Sequence, residues 1–304
     1  APGLTPQPGI VSQKTEAVAD NDAYLELHTK ISGRAFSSKA TQALNEISAT
    51  VSEHLFFNID HVVRGGSVGR GTVIGGSTDA ELVFLLKDMP IAGQFRWLPS
   101  LHKAVVGVLK EQLGTAHGIE DVVPTADSVK LTVRGAVAVD LKFVPAFGSH
   151  TEALSAFADQ GPEARRRLNA ALTKERTHFI SKQPGQVKVT MRLLKWWRDQ
   201  QQWSSATSRP SNDLIELLTV HSAAQSKPQD QQAAVANVLA LMARFDELCV
   251  TWSNFYKRTD IWSPLLNQRP LVMDPVNPWM NVADPQAFHS RELMTLAGRT
   301  HFFW

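Results

Sequence analysis

Cysteine is nearly missing from this chain. Cys249 stands alone among 304 residues, which excludes an intramolecular disulfide and any zinc site built from several cysteines. A reducing, cytoplasmic setting agrees with that usage. Long apolar runs are missing too. No stretch approaches the roughly 18 residues that a membrane span needs, and no charged, apolar, small-residue leader opens the chain. Charge of one sign is scarce: 31 Lys and Arg stand against 29 Asp and Glu, a net charge of +2. A protein that coats nucleic acid carries a much stronger basic excess. Sequence repeats and coiled-coil heptads are absent. What the chain does have is apolar residues, 43% of the total, enough for one large core or two lobes.

Pro2, Pro6 and Pro8 make the start read as a loose tail. Residues 22–33 read as a short helix stopped by Gly33. A second helix, capped by Ser37 or Ser38, carries Ala40, Ala43, Leu44, Ile47, Val51 and Leu55 at helical spacing. A short strand then ends at Gly65-Gly66-Ser67. The apolar run 80–86 has strand length, and 128–134 and 136–144 alternate as a strand pair about Gly135. Polar and small residues from about 148 to Pro162 suit a connector. Helices are expected over 162–182, 186–201, 213–224 and 230–254, and a proline-rich, irregular surface segment from Pro264. The order is helices, a mixed sheet, then a helical half. It predicts an α+β chain of two lobes, residues 1–150 and 151–304, with a cleft between them.

The chemistry is concentrated in residues 64–86. Gly65-Gly66-Ser67, followed by Gly69 and Gly71, forms a backbone turn after a strand. Glycines let amides approach an anion, and the Ser67 hydroxyl adds a donor. Such turns occur in many proteins. Asp79 and Glu81 open the apolar strand and, two apart, share one face. Adjacent carboxylates repel unless something positive lies between them. An isolated pair serves as two solvated acids. Twelve residues after a Gly-Gly-Ser turn, it points instead to a divalent ion with oxygen ligands, magnesium beside phosphates being usual. Two such ions can clamp the attacking and leaving oxygens of a phosphoryl transfer.

The turn and the acid pair resemble the signature of the polymerase-β-like nucleotidyltransferases. From about Val62 to Pro285 the chain further resembles one branch, the 2′-5′-oligoadenylate synthetases. Five blocks carry this in order: residues 65–72 with 78–83, Val144-Pro145-Ala146-Phe147, residues 192–197, residues 215–220 and residues 269–278. The resemblance implies a mixed-sheet nucleotidyltransferase lobe, a helical lobe and an active site in the cleft. It also implies polymerisation of ATP onto an oligoadenylate acceptor, with two magnesium ions. Asp79 and Glu81 would bind the metal, with Gly66, Ser67 and Arg70 at the donor triphosphate.

At the family's third carboxylate, three residues before the proline of the second block, this chain has Lys142. Asp140, two residues earlier on the same strand face, is expected to serve as third ligand and to draw the proton from the acceptor hydroxyl. Lys188, Arg192 and Lys195 fall on one helix face. By resemblance Arg192 and Lys195 meet triphosphate charge and Asn212 contacts a base. Trp196, Trp197, Trp203, Trp252 and Trp262 read as core. Vertebrate members are switched on by double-stranded RNA held on a basic face. The matching positions here are Thr177, Ser181, Gly185 and Gln186, and the chain looks more like the invertebrate members. The expectation is a monomer that does not need double-stranded RNA of the vertebrate kind.

Overall fold

The computed structural model describes residues 20–32, 34–76 and 78–300. The proline-bearing tail and Gly33 lie outside them. Among the described residues, those from 34 to 182 form one compact unit, and 20–32 join 183–300 in a second. The grouping by contact therefore breaks after Ser32 and after Lys182. Its physical basis is packing: α1 (Asp20–Ile31) lies on helices of the second unit, while the helices between 150 and 181 cover strands of the first.

In the first unit, α2 (Arg34–His54) leads into β1 (Ile59–Gly65), the short helix α3 (Gly66–Arg70) and β2 (Thr78–Leu86). Then come α4 (Gln94–Gln112), β3 (Ile119–Pro124), β4 (Val129–Val133) and β5 (Val137–Pro145). The sheet order is β1-β2-β5-β4-β3, with β2 and β5 parallel and the other pairs antiparallel. Alternation decides the faces. Ala80, Leu82, Phe84 and Leu86 of β2 join Val137, Val139, Leu141 and Phe143 of β5 in one core, closed by α2 and α4. Phe84 and Phe143 stack there with centroids 4.9 Å apart. On the opposite face, Val83, Leu85 and Val144 are covered by Ala170 from the helical turn 169–172. The β4–β5 turn runs through Arg134 at φ 51° and Gly135 at φ 65°. Paired positive φ values are the tight-hairpin geometry that Gly135 signalled.

The stretch expected as a connector contains a helix, α5 (His150–Ala158). Ser149 caps it by accepting from the Glu152 amide, and the Glu152 carboxylate accepts from Gly148 N–H. That is close to a capping box, and it holds a helix that composition alone disguised. After it, α6 (Pro162–Leu168) and α7 (Thr173–Ser181) pack beside the sheet.

The second unit holds α1, α8 (Gly185–Gln200), α9 (Asn212–Gln225) and α10 (Gln231–Ala243), packed on one another. The helix expected to run to 254 stops at Ala243. Beyond it the chain forms β6 (Cys249–Val250), α11 (Ser263–Leu266), β7 (Leu271–Val272) and α12 (Arg291–Arg299), with β6 and β7 parallel. Part of the segment expected on the surface is interior: residues 271–278 are all buried, while 264, 267, 269 and 285–287 are exposed. Irregular backbone survives burial only if its polar groups are satisfied. Asp274 accepts from the amides of Val276 and Asn277, and Asn281 accepts from those of Val272 and Ala283. Trp197 is core as expected, whereas Trp262 is 65% exposed. No helix among the described residues is long and apolar enough to cross a membrane.

Candidate active site

The sheet puts the acids where they are. Asp79 and Glu81 sit at the start of β2 on the face opposite the core. The parallel register sets Glu81 beside Asp140 and Asp79 beside Ala138. Strands pair about 4.8 Å apart, so Glu81 and Asp140 are side by side on a common face. Asp79, Glu81 and Asp140 line one cavity of about 360 Å³, together with Asp121 and Lys130. The face shared by the expected third ligand is thus the face of the acid pair.

The Gly65-Gly66-Ser67 turn holds Asp79 from behind. Ser67 Oγ donates to the Asp79 carbonyl at 3.0 Å and accepts from the Asp79 amide at 3.2 Å. The Ser67 amide donates to Asp79 Oδ1 at 3.3 Å. Ser67 is fully buried, with its hydroxyl proton committed to the Asp79 backbone. In this structure Ser67 positions the acid. Gly66 is required by contact as well as by backbone. At φ +68°, a Cβ on it would lie 2.9 Å from both the Ala80 Cα and the Asp79 carbonyl oxygen. A Cβ on Gly65 would lie 2.7 Å from Thr173 Cγ2 and 3.2 Å from Glu81 Oε2, so the α7 N-terminus closes over the same turn. Arg70, at the end of α3, is buried at 5% exposure.

The other expected contacts lie in the second unit. Lys195 is not part of an exposed basic stripe. Its Nζ is fully buried and donates to Glu216 Oε1 of α9 at 2.9 Å. Arg192 is partly buried, with Nη1 3.4 Å from His28 Nε2 of α1. Asn212 opens α9, and its carbonyl oxygen accepts from Arg198 Nη1 at 2.7 Å.

Two lysines on the acidic face were given no charge-balancing role by the sequence. Lys142 Nζ lies 3.2 Å from Glu81 Oε1, and Lys130 Nζ donates to Asp140 Oδ1 at 3.0 Å. Ser128 Oγ also donates to Asp140, at 3.3 Å. The period-two rule that put Asp140 on this face puts Lys142 there too, so the signal was available. Hard, anionic oxygens from Asp79 and Glu81 suit a divalent cation such as magnesium. A pair of ions needs a third convergent ligand. Among the described residues no three His, Cys, Asp or Glu side chains are grouped to hold a metal. The donor set fits one ion and does not fit two.

With this geometry in view, the likenesses to known proteins can be placed. Residues 155–300 match the family model described as 2′-5′-oligoadenylate synthetase 1, domain 2, C-terminus. Mouse 2′-5′-oligoadenylate synthase 3 is 25% identical over 300 residues, 86% of this chain but 26% of that protein. Rat 2′-5′-oligoadenylate synthase 1A is 22% identical over 301 residues, 86% of this chain and 83% of that protein. The chain therefore spans about a quarter of the mouse relative. Among solved structures, E. coli MS115-1 CdnC with ATP superposes with a TM-score of 0.64 at 18% identity, covering 92% of this chain and 89% of that one. The non-canonical poly(A) polymerase complex GLD-2–GLD-3 gives 0.53 at 12% identity, covering 73% and 75%. At these identities the structures share the fold, a polymerase-β-like mixed helix-and-sheet architecture, as the resemblance implied.

Proposed function

From the premise that this nucleotidyltransferase belongs to the 2′-5′-oligoadenylate synthetase family, we propose that it joins ATP units without a template into 2′-5′-linked oligoadenylates, releasing pyrophosphate. The observation that carries the reading is the seating of Asp79. Three hydrogen bonds from the Ser67 turn fasten it at the mouth of β2, beside Glu81 and across the register from Asp140. Asp79 and Glu81 would hold the divalent ion; when bound, it offsets triphosphate charge and polarises a phosphoryl oxygen. The chain's own contribution is positioning. Gly66 keeps the turn against β2, and Ser67 fixes the direction of Asp79. The acceptor ribose oxygen bonds to the α-phosphorus of ATP, the bond to the bridging oxygen breaks, and pyrophosphate leaves. Asp140, on the same face, takes the acceptor proton.

In this reading the protein works as a cytoplasmic monomer and without double-stranded RNA. The positions that matched vertebrate RNA contacts carry no Lys or Arg. Lys195 supports the helical lobe through its buried pair with Glu216. One observation favours a second reading. Lys142 on Glu81 is what a site that binds nucleotide without turning it over would also contain.

The deciding experiment incubates the chain with ATP and magnesium, with and without duplex RNA, and digests the products with linkage-specific nucleases. Oligomers that resist 3′-5′ cleavage and form without RNA are expected. Products only with duplex RNA would remove the independence; a cyclic dinucleotide from mixed nucleotides would change the reaction; no product would leave the second reading.

A further inference from the structure

The acidic face carries its own cations. Asp79, Glu81 and Asp140 share it with Lys142 and Lys130, and each lysine lies within 3.2 Å of one of the acids. With Asp121, which lines the same cavity, four carboxylates face two ammonium groups, so the lysines offset half of the acidic charge. The half that remains is too little to offset two divalent ions, which attract or repel their surroundings at full strength over a few ångströms. Position matters as much as total charge. Lys142 is one pleat beyond Asp140 on β5, on the register position of Val83, and it reaches back diagonally to Glu81. Its side chain is 34% exposed and that of Glu81 is 21% exposed, so the pair lies at the open end of the face and not within the core. Asp140 in turn is held toward β4 by Lys130 of that strand and by Ser128 just before it.

We propose that the Lys142 ammonium is a resident cation of the active face, standing in for one of two divalent ions, so that the nucleotide-bound chain takes one ion through Asp79 and Glu81. This rests on the proposed site, though not on its product. An ammonium carried by the chain is present at the face without being recruited from solution. It presents three donors to Glu81 and to an incoming phosphate oxygen, whereas a divalent ion would demand about six oxygen ligands. The site would therefore depend on the first power of divalent-ion concentration.

The test counts ions without requiring turnover. The full chain is saturated with α,β-methylene-ATP, a donor that cannot release pyrophosphate, and titrated with manganese. Protein-associated ions are counted by equilibrium dialysis and by manganese electron paramagnetic resonance. The wild type is expected to hold one ion, with no spin coupling between neighbouring ions. Lys142→Asp is expected to hold two and to show that coupling, and Lys142→Met to remain at one. A wild-type count of two, or of none, overturns the proposal with no variant needed. So does a folded Lys142→Asp protein that still holds one, its fold checked by thermal melting. The two readings fail separately: oligoadenylate synthesis with two bound ions sinks this one, and a single bound ion without synthesis sinks the other.

Discussion

Among the described residues, the Lys195–Glu216 and Lys142–Glu81 pairs are of nearly equal length and differ in almost everything else. Lys195 and Glu216 meet at 2.9 Å inside the helical unit, both about fully buried. Lys142 and Glu81 meet at 3.2 Å on the sheet, at 34% and 21% exposure. Distance alone would give them one role. Burial separates them. Two charges removed from water persist only as a pair, so the first is a structural commitment of α8 to α9. Charges that still touch water exchange partners cheaply, so the second is available to a substrate or an ion.

The largest effect expected is on the buried pair. Lys195→Ala should destabilise the protein by about 3–5 kcal/mol, because the buried Glu216 carboxylate loses its ammonium partner. Urea unfolding measures this, and the double variant Lys195→Met with Glu216→Leu should recover most of the loss. A Lys195→Ala protein of normal stability would erase the distinction between the pairs. Next comes Asp79→Asn, which keeps an oxygen for the Ser67 amide but loses the charge. ATP turnover should fall about 10³-fold, since a metal clamp supplies several kcal/mol and each 1.4 kcal/mol is tenfold, while the melting temperature barely moves. Gly66→Ala should cost about 2 kcal/mol, from a left-handed backbone and from contact with Ala80 and Asp79.

His102 sharpens the same contrast with a group that is buried uncharged. It is fully buried on α4, lies 2.9 Å from the Thr125 carbonyl, and burial pushes its pKa below the ordinary 6.5. Above that value both folded and unfolded chains are neutral here. Below it the unfolded chain takes up a proton first, so stability falls with acidification by up to about 1.4 kcal/mol per pH unit. His102→Gln should flatten that part of the stability profile. The smallest effect belongs to Lys142→Met, which should change stability by less than about 1 kcal/mol. A larger loss would mean that the exposed pair is structural after all.

Legibility followed the same line between local and long-range causes. The Gly-Gly-Ser turn, the Asp79–Glu81 spacing and the hairpin at Gly135 were readable because each depends on neighbours in sequence. Helix α5 carried its own signal in Ser149 and Glu152, hidden by small residues around it. The burial of residues 271–278 had no such signal, since Asp274 and Asn281 act by satisfying backbone that an unaided reading sends to the surface. The pairing of Lys195 was hidden for a related reason. Helical spacing gave its face correctly, but its partner Glu216 lies on another helix, 21 residues away. For Asp140 the shared face was legible, while its engagement by Lys130 and Ser128 depends on a strand pairing that no spacing along one strand reveals.

The parallel seam between β2 and β5 gives the active face the character of a grid. Its points are fixed by backbone pairing and guarded from behind by Phe84 and Phe143. A slip of one residue would turn the acids into the core and the phenylalanines into water, so the spacing cannot drift. What remains free is the letter written at each point. A lysine at 142 in place of an acid is a change of text on an unchanged page, and through such changes one scaffold could be set for a different number of ions without refolding.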